Sequence, residues 1–187
     1  MHPDSGTIIG FSVTRAKLAA IVAVLSLSLC VYFLHDLPSP SKLVLDRPAA
    51  SSVIYDRSGE VLYYFYGDQH RIPIPLSQIS QPAIDATLAI EDQEFHHHFG
   101  FSITGMLRAA RKNFFDSSSI EGGSTITQQL VKNRLLSREK RIVRKIKELI
   151  LAIWVEMVFS KKEILEMYLN DVSYGGTAHG IEAAAWK

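Results

Sequence analysis

The chain reads as a mainly helical domain with a small β-hairpin near its start, set behind one membrane-spanning helix. Three observations predict this class. Residues 18–34 form an apolar run without charge, two β-rich runs flank Asp56, Arg57, Ser58 and Gly59, and the residues beyond the hairpin show helical spacing with no further strong strand. The 187 residues are 47% hydrophobic and 21% charged, which suits one packed domain plus a tail. A formal net charge of +1 points to neither a nucleic-acid binder nor an acidic protein. Cys30 is the single cysteine, so no intrachain disulfide can form.

The apolar run would make a helix about 26 Å long, close to the ~30 Å hydrocarbon core of a bilayer. Arg15 and Lys17 precede it, and His35 and Asp36 come after it. The positive-inside rule then places the N-terminus in the cytoplasm and the rest outside, as a single-pass protein of the inner or plasma membrane. The other readings are a cleaved signal peptide or a buried core helix. No small-x-small cleavage site precedes "HDLPSPS", and the run is long for a signal core. The expected organisation is therefore a cytoplasmic tail (1–17), an anchor (18–34), a Pro/Ser-rich linker (35–50) and a domain from 51 to 187 that belongs to something longer.

Pro82 suits the first turn of a helix capped by Ser80 or Gln81. That helix aligns Ile84, Leu88, Glu91 and Phe95 on one face, so Glu91 sits in an apolar stripe while Asp85 and Asp92 do not. Partial desolvation would make such a carboxylate a better proton acceptor. A buried ion pair with an arginine accounts for the same pattern. His96, His97 and His98 diverge by about 100° each on a helix and cannot converge on one ion. There is no His-Glu-x-x-His pattern, so zinc is not indicated. His98 is expected to hydrogen-bond locally, and His96 and His97 to face solvent.

Gly122 and Gly123 break the chain before Thr125 and Gln128, which fit a capping box. Free N–H groups at such a turn suit a phosphate, although an ordinary well-capped helix reads the same way. A basic run comes next, with Lys132, Lys140, Arg141, Arg144 and Lys145 among its cations. It leads into a helix whose expected core stripe is Ile142, Ile146, Leu149, Ile150, Ile153 and Met157. Arg141, Arg144 and Glu148 share the opposite face, which turns apolar at Ala152 and Val155, so the second half is expected to be buried all round. Glu148 is then either an i,i+4 partner of Arg144 or the carboxylate of an anion site. Ser160 and Glu163 fit a second capping box.

Taken in order, these pieces resemble the family 51 glycosyltransferases, the peptidoglycan polymerases found alone or as the N-terminal half of class A penicillin-binding proteins. Glu91-Asp92-x-x-Phe95-x-x-His98-x-Gly100 matches the first family motif, and Gly122 through Gln129 the second. Arg144-Lys145-x-x-Glu148 matches the third, Ile164-Leu165-Glu166-x-Tyr168-Leu169-Asn170 the fourth, and Gly180 through Ala184 the fifth.

The resemblance implies a lysozyme-like, bilobed domain whose smaller jaw lobe touches the bilayer. The segment "GMLRAARKNFF" suits that lobe, with Met106, Leu107, Phe114 and Phe115 beside Arg108, Arg111 and Lys112. It also implies lipid II and a nascent glycan strand as substrates, cell-wall synthesis proteins as partners, and no nucleic acid. Glu91 would act as base and Glu148 would assist at the pyrophosphate or bind a divalent cation (Mg or Mn). Asp92, His98, Ser124, Thr127, Gln129, Lys132, Lys140, Arg144 and Lys145 would contact substrate. Lys140 stands where the family usually has arginine, and a lysine lacks bidentate phosphate geometry. Two other readings fit parts of the pattern. A lysozyme-like hydrolase would use two carboxylates, though it has no pyrophosphate for the basic run to hold. An anchored scaffold would leave the motifs without work.

Overall fold

In the computed structural model, residues 6–115, 122–136 and 141–186 are described. They fall into two compact units, Met1–Leu37 and Pro38–Lys187. The first unit is helix α1, Gly6–Leu34, which starts well before the apolar run. Its stretch Lys17–Leu34 is long and apolar enough to cross a membrane, and none of it is buried. The helix ends where the His35 Nδ1 donates to the Tyr32 carbonyl at 3.1 Å.

The second unit is mainly helical. After the short helix α2 (Lys42–Leu45) come β1 (Ser52–Tyr55) and β2 (Val61–Phe65), the expected antiparallel hairpin. Its turn is held by Asp56, whose carboxylate accepts the amides of Ser58 and Glu60, each at 2.8 Å. The Ser58 hydroxyl is the first cause, and the Glu60 amide the second, of an Asp56 carboxyl held below the usual range. A second, parallel sheet joins β3 (His70–Arg71) to β4 (Ala178–His179). No strand was expected there, because two residues are too few to show a period.

Helix α3 spans Gln81–Glu91, with Pro82 in its first turn. It is shorter than expected. Asp92 leaves helical geometry at φ −161° and ψ 78°, so Phe95 belongs to the following turns and not to the helix face. Phe95 is nonetheless buried. Helix α4 (Ile103–Phe115) is next, with Met106, Leu107, Phe114 and Phe115 exposed. Helices α5 (Ile126–Arg134), α6 (Arg141–Val158) and α7 (Lys161–Asp171) form the core, with α5 packed on both others. The chain then reaches α8 (Ile181–Ala185).

Both capping boxes form: Thr125 with Gln128 opens α5, and Ser160 with Glu163 opens α7. The face of α6 is the opposite of the one expected. Lys147, Glu148, Leu151, Ala152 and Val155 are buried, whereas Ile142 is 78% and Met157 71% exposed. Nor is the second half buried all round, since Trp154 is also exposed. The reason is a close approach. Gly100, at φ +82°, lies so near α6 that an added Cβ would sit 2.7 Å from the Ala152 carbonyl carbon. Only a glycine at 100 permits this contact with the backbone of Ala152 and Ile153. Counting apolar residues finds the richer stripe, but this backbone approach selects the other.

Candidate active site

Asp92 ends α3 and is 6% exposed. Its Oδ2 accepts the Ile126 amide at 3.0 Å, at the start of α5, where a carboxylate complements the free N–H groups and the helix dipole. His98 Nε2 lies 2.9 Å from Oδ2 and 3.0 Å from Oδ1, so the imidazole donates to the same carboxylate. Nearby, the Thr125 hydroxyl donates to the Gly100 carbonyl at 2.8 Å. Residues 92–100 are thus fastened to the start of α5. His98 does hydrogen-bond locally, with Nδ1 buried and without a partner among the described residues. His96 and His97 are exposed.

This fastening sets Glu91 against α5. Gln129 Nε2 donates to Glu91 Oε2 at 2.8 Å, and the Tyr168 hydroxyl donates to Gln129 Oε1 at 3.2 Å. Glu91 itself is exposed, which corrects the expectation of a desolvated carboxylate on a buried stripe. The helix stops at Glu91, so no further turn covers it. Glu91 lines a cleft with Asp92, Arg108, Gly123, Ser124 and Thr125.

A second cluster is built on α6. Glu148 is 4% exposed. Lys145 Nζ lies 3.1 Å from its Oε2 and 2.9 Å from Ser124 Oγ, so this lysine joins α6 to the turn before α5. Arg144 Nε is 3.4 Å from Glu148 Oε1, an ion pair by distance but without hydrogen-bond alignment. Glu148 therefore faces one cation on each oxygen. Because Ser124 also lines the cleft of Glu91, the turn at 122–125 connects the two carboxylates.

Other expected residues are placed differently. Thr127 is fully buried, and its hydroxyl donates to Glu156 Oε1 at 2.6 Å. Expected at a substrate site, it faces the core in this fold. Lys161 Nζ shares that Glu156 oxygen at 2.7 Å and sits 4.5 Å from the centroid of the Phe95 ring. Asp92, expected to touch substrate, has both oxygens engaged within the protein. Lys132 is exposed on α5. Lys140 lies outside the described residues.

Sequence reasoning assigned no role to Tyr168, Glu156 or Lys161. For Tyr168 a signal exists: it follows Ile164 and Leu165 at helical spacing, so it carries a polar tip on a core face. As for a metal, no group of three or more His, Cys, Asp or Glu among the described residues could hold one. Glu148 is a lone carboxylate already facing two cations, so these residues do not fit a resident ion.

The helical unit thus has a cleft in which a Gly-Gly turn joins one carboxylate to a Ser–Lys–Glu cluster. The transglycosylase family model covers residues 58–187, and the chain belongs to this family. The chain is 43% identical over 168 residues to penicillin-binding protein 1A of Aquifex aeolicus (strain VF5), covering 88% of this chain and 23% of that protein. It is 42% identical over 154 residues to penicillin-binding protein 1A of Escherichia coli (strain K12), covering 82% and 18%. Penicillin-binding protein 1F of Bacillus subtilis (strain 168) is 36% identical over 168 residues, covering 90% and 23%. The chain thus spans less than a quarter of the length of each of these relatives.

Proposed function

We propose that this chain is a membrane-anchored peptidoglycan glycosyltransferase that polymerises lipid II into β-1,4-linked glycan strands. The observation that carries the reading is the cleft position of Glu91, with Oε2 held by Gln129 and no hydrogen bond to Oε1 among the described residues. An acceptor 4-hydroxyl attacking an anomeric carbon must lose its proton, and Oε1 can take it. General-base help of this kind is worth about 10²–10⁴ in rate. The other sugar's bond to pyrophosphate breaks from the opposite side, so the anomeric carbon inverts.

The departing pyrophosphate needs positive charge more than it needs a proton. Arg144 and Lys145 supply it beside Ser124, and the exposed Lys132 adds to it; Lys140 is a further cation by family resemblance. Glu148 holds the two paired cations in place. A divalent cation (Mg or Mn) would come with the pyrophosphate and not on a protein-held site.

The membrane enters at two places. Helix α1 would anchor the chain with its N-terminus in the cytoplasm. The exposed apolar side chains of α4, with Arg108, Arg111 and Lys112, would rest on the outer leaflet surface. A lipid-linked donor then stays in the bilayer while its sugar reaches the cleft. The test is product analysis with labelled lipid II in detergent or vesicles. Glycan chains that lengthen with time support the reading. Release of sugars from preformed glycan, with no growth from lipid II, contradicts it.

A further inference from the structure

Tyr168 and Gln129 form a hydrogen-bonded chain that ends on Glu91, and its direction is dictated at one end. An ionised carboxylate only accepts, so the Gln129 amide must turn its NH2 toward Glu91 Oε2, 2.8 Å away. Its carbonyl then faces Tyr168, 3.2 Å away, and requires a donor there. Tyr168 is buried on α7 with its ring in the core, so the hydroxyl is held by rigid packing. Burial first, and the Glu91 charge second, hold the Tyr168 phenol well above its usual range. The proton needed for donation therefore stays on Tyr168 across the neutral range.

We propose that Tyr168 is a positioning residue: through Gln129 it aims the Glu91 carboxylate, fixing Oε2 and leaving Oε1 for the acceptor hydroxyl. This rests on the reading of Glu91 as the base. Without the Tyr168 hydroxyl, the Gln129 amide keeps its NH2 on Glu91 but loses its only tether at the carbonyl end among the described residues. The Gln129–Glu91 pair can then shift together, and Glu91 moves from its aim. Misplacing a reacting group by about 1 Å costs on the order of a hundredfold in rate.

The test uses Tyr168→Phe, which keeps the buried ring and deletes one hydroxyl. Initial rates of lipid II polymerisation by the full chain are measured over substrate concentration, alongside thermal melting. The expected result is a kcat roughly tenfold lower with KM unchanged and a folded protein. Gln129→Met is expected to lower kcat to a similar degree. The double variant should fall no further than Gln129→Met alone, since Tyr168 acts through that amide. A wild-type kcat in Tyr168→Phe, or a double variant that loses the product of both single losses, overturns the proposal. So does a Gln129→Met enzyme with raised KM and intact kcat, because Gln129 would then serve substrate binding. Failure of the base reading shows separately, as a Glu91→Gln enzyme that polymerises at full rate.

Discussion

Asp92 Oδ2 accepts the Ile126 amide at 3.0 Å, so the residue that closes α3 also anchors the start of α5. That one contact brings Glu91 to Gln129, residues 38 apart in sequence. Asp92→Asn removes the charge and leaves one acceptor oxygen for two donors, Ile126 and His98. Hydrogen bonds to charged groups contribute about 1.5–3 kcal/mol, and each kcal/mol moves the melting temperature of a domain this size by about 2–4 °C. Thermal unfolding of Asp92→Asn should therefore come several degrees early. An unchanged melting temperature would show that Asp92 does not fasten the loop.

Glu156 satisfies the Thr127 hydroxyl and Lys161 from a side chain only 3% exposed. Glu156→Ala leaves a threonine hydroxyl and a partly buried ammonium without their acceptor. Breaking a buried pair from one side costs about 3–5 kcal/mol, and the partial exposure of Lys161 puts the expected loss near 3 kcal/mol. Urea unfolding measures it, and a loss under about 1 kcal/mol, the level of a surface pair, would contradict it.

Lys145 bridges Ser124 and Glu148, which places it where leaving-group charge would gather. Lys145→Met should lower kcat/KM for lipid II by roughly a hundredfold, the scale of losing one preorganised donor. Steady-state kinetics decide this, and a change below about twofold would remove Lys145 from the reaction.

The Ser102 and Thr104 hydroxyls, in that order, hold the half-buried Glu94 carboxyl below its ordinary value of 4.5. Ser102 accepts the Gly105 amide at 2.9 Å, so this cluster ties Glu94 to the first turn of α4. A carboxyl depressed on folding adds stability above its unfolded pKa and loses it as pH falls through the folded pKa. Wild type and Glu94→Gln should therefore differ most in urea midpoint near neutrality. The gap should close on acidification below about pH 4.5, and a gap independent of pH would contradict the sign.

Features are legible in the sequence to the extent that their causes are local. The capping boxes at Thr125 and Ser160 were legible because both partners lie within one turn. The hairpin was legible because Asp56 and Gly59 sit between β-rich runs. The family was legible because its motifs are linear strings. The α6 face was not, since both of its sides carry apolar residues and the choice is made by Gly100, 52 residues before Ala152. The exposure of Glu91 was missed because Asp92 ends the helix through a contact with Ile126, outside any helical period. Thr127 shares its string with Gln129, and only the packing of α5 sends one to Glu156 and the other to Glu91.

The central claim is that Glu91 takes the acceptor's proton, and polymerisation of lipid II by Glu91→Gln tests it most directly. The variant keeps the shape of the side chain and a carbonyl toward the Gln129 amide, so it should fold with a wild-type melting temperature. Its rate of glycan formation should fall by at least about a hundredfold, the lower bound for general-base help. A folded Glu91→Gln protein that makes polymer at the wild-type rate would contradict the account.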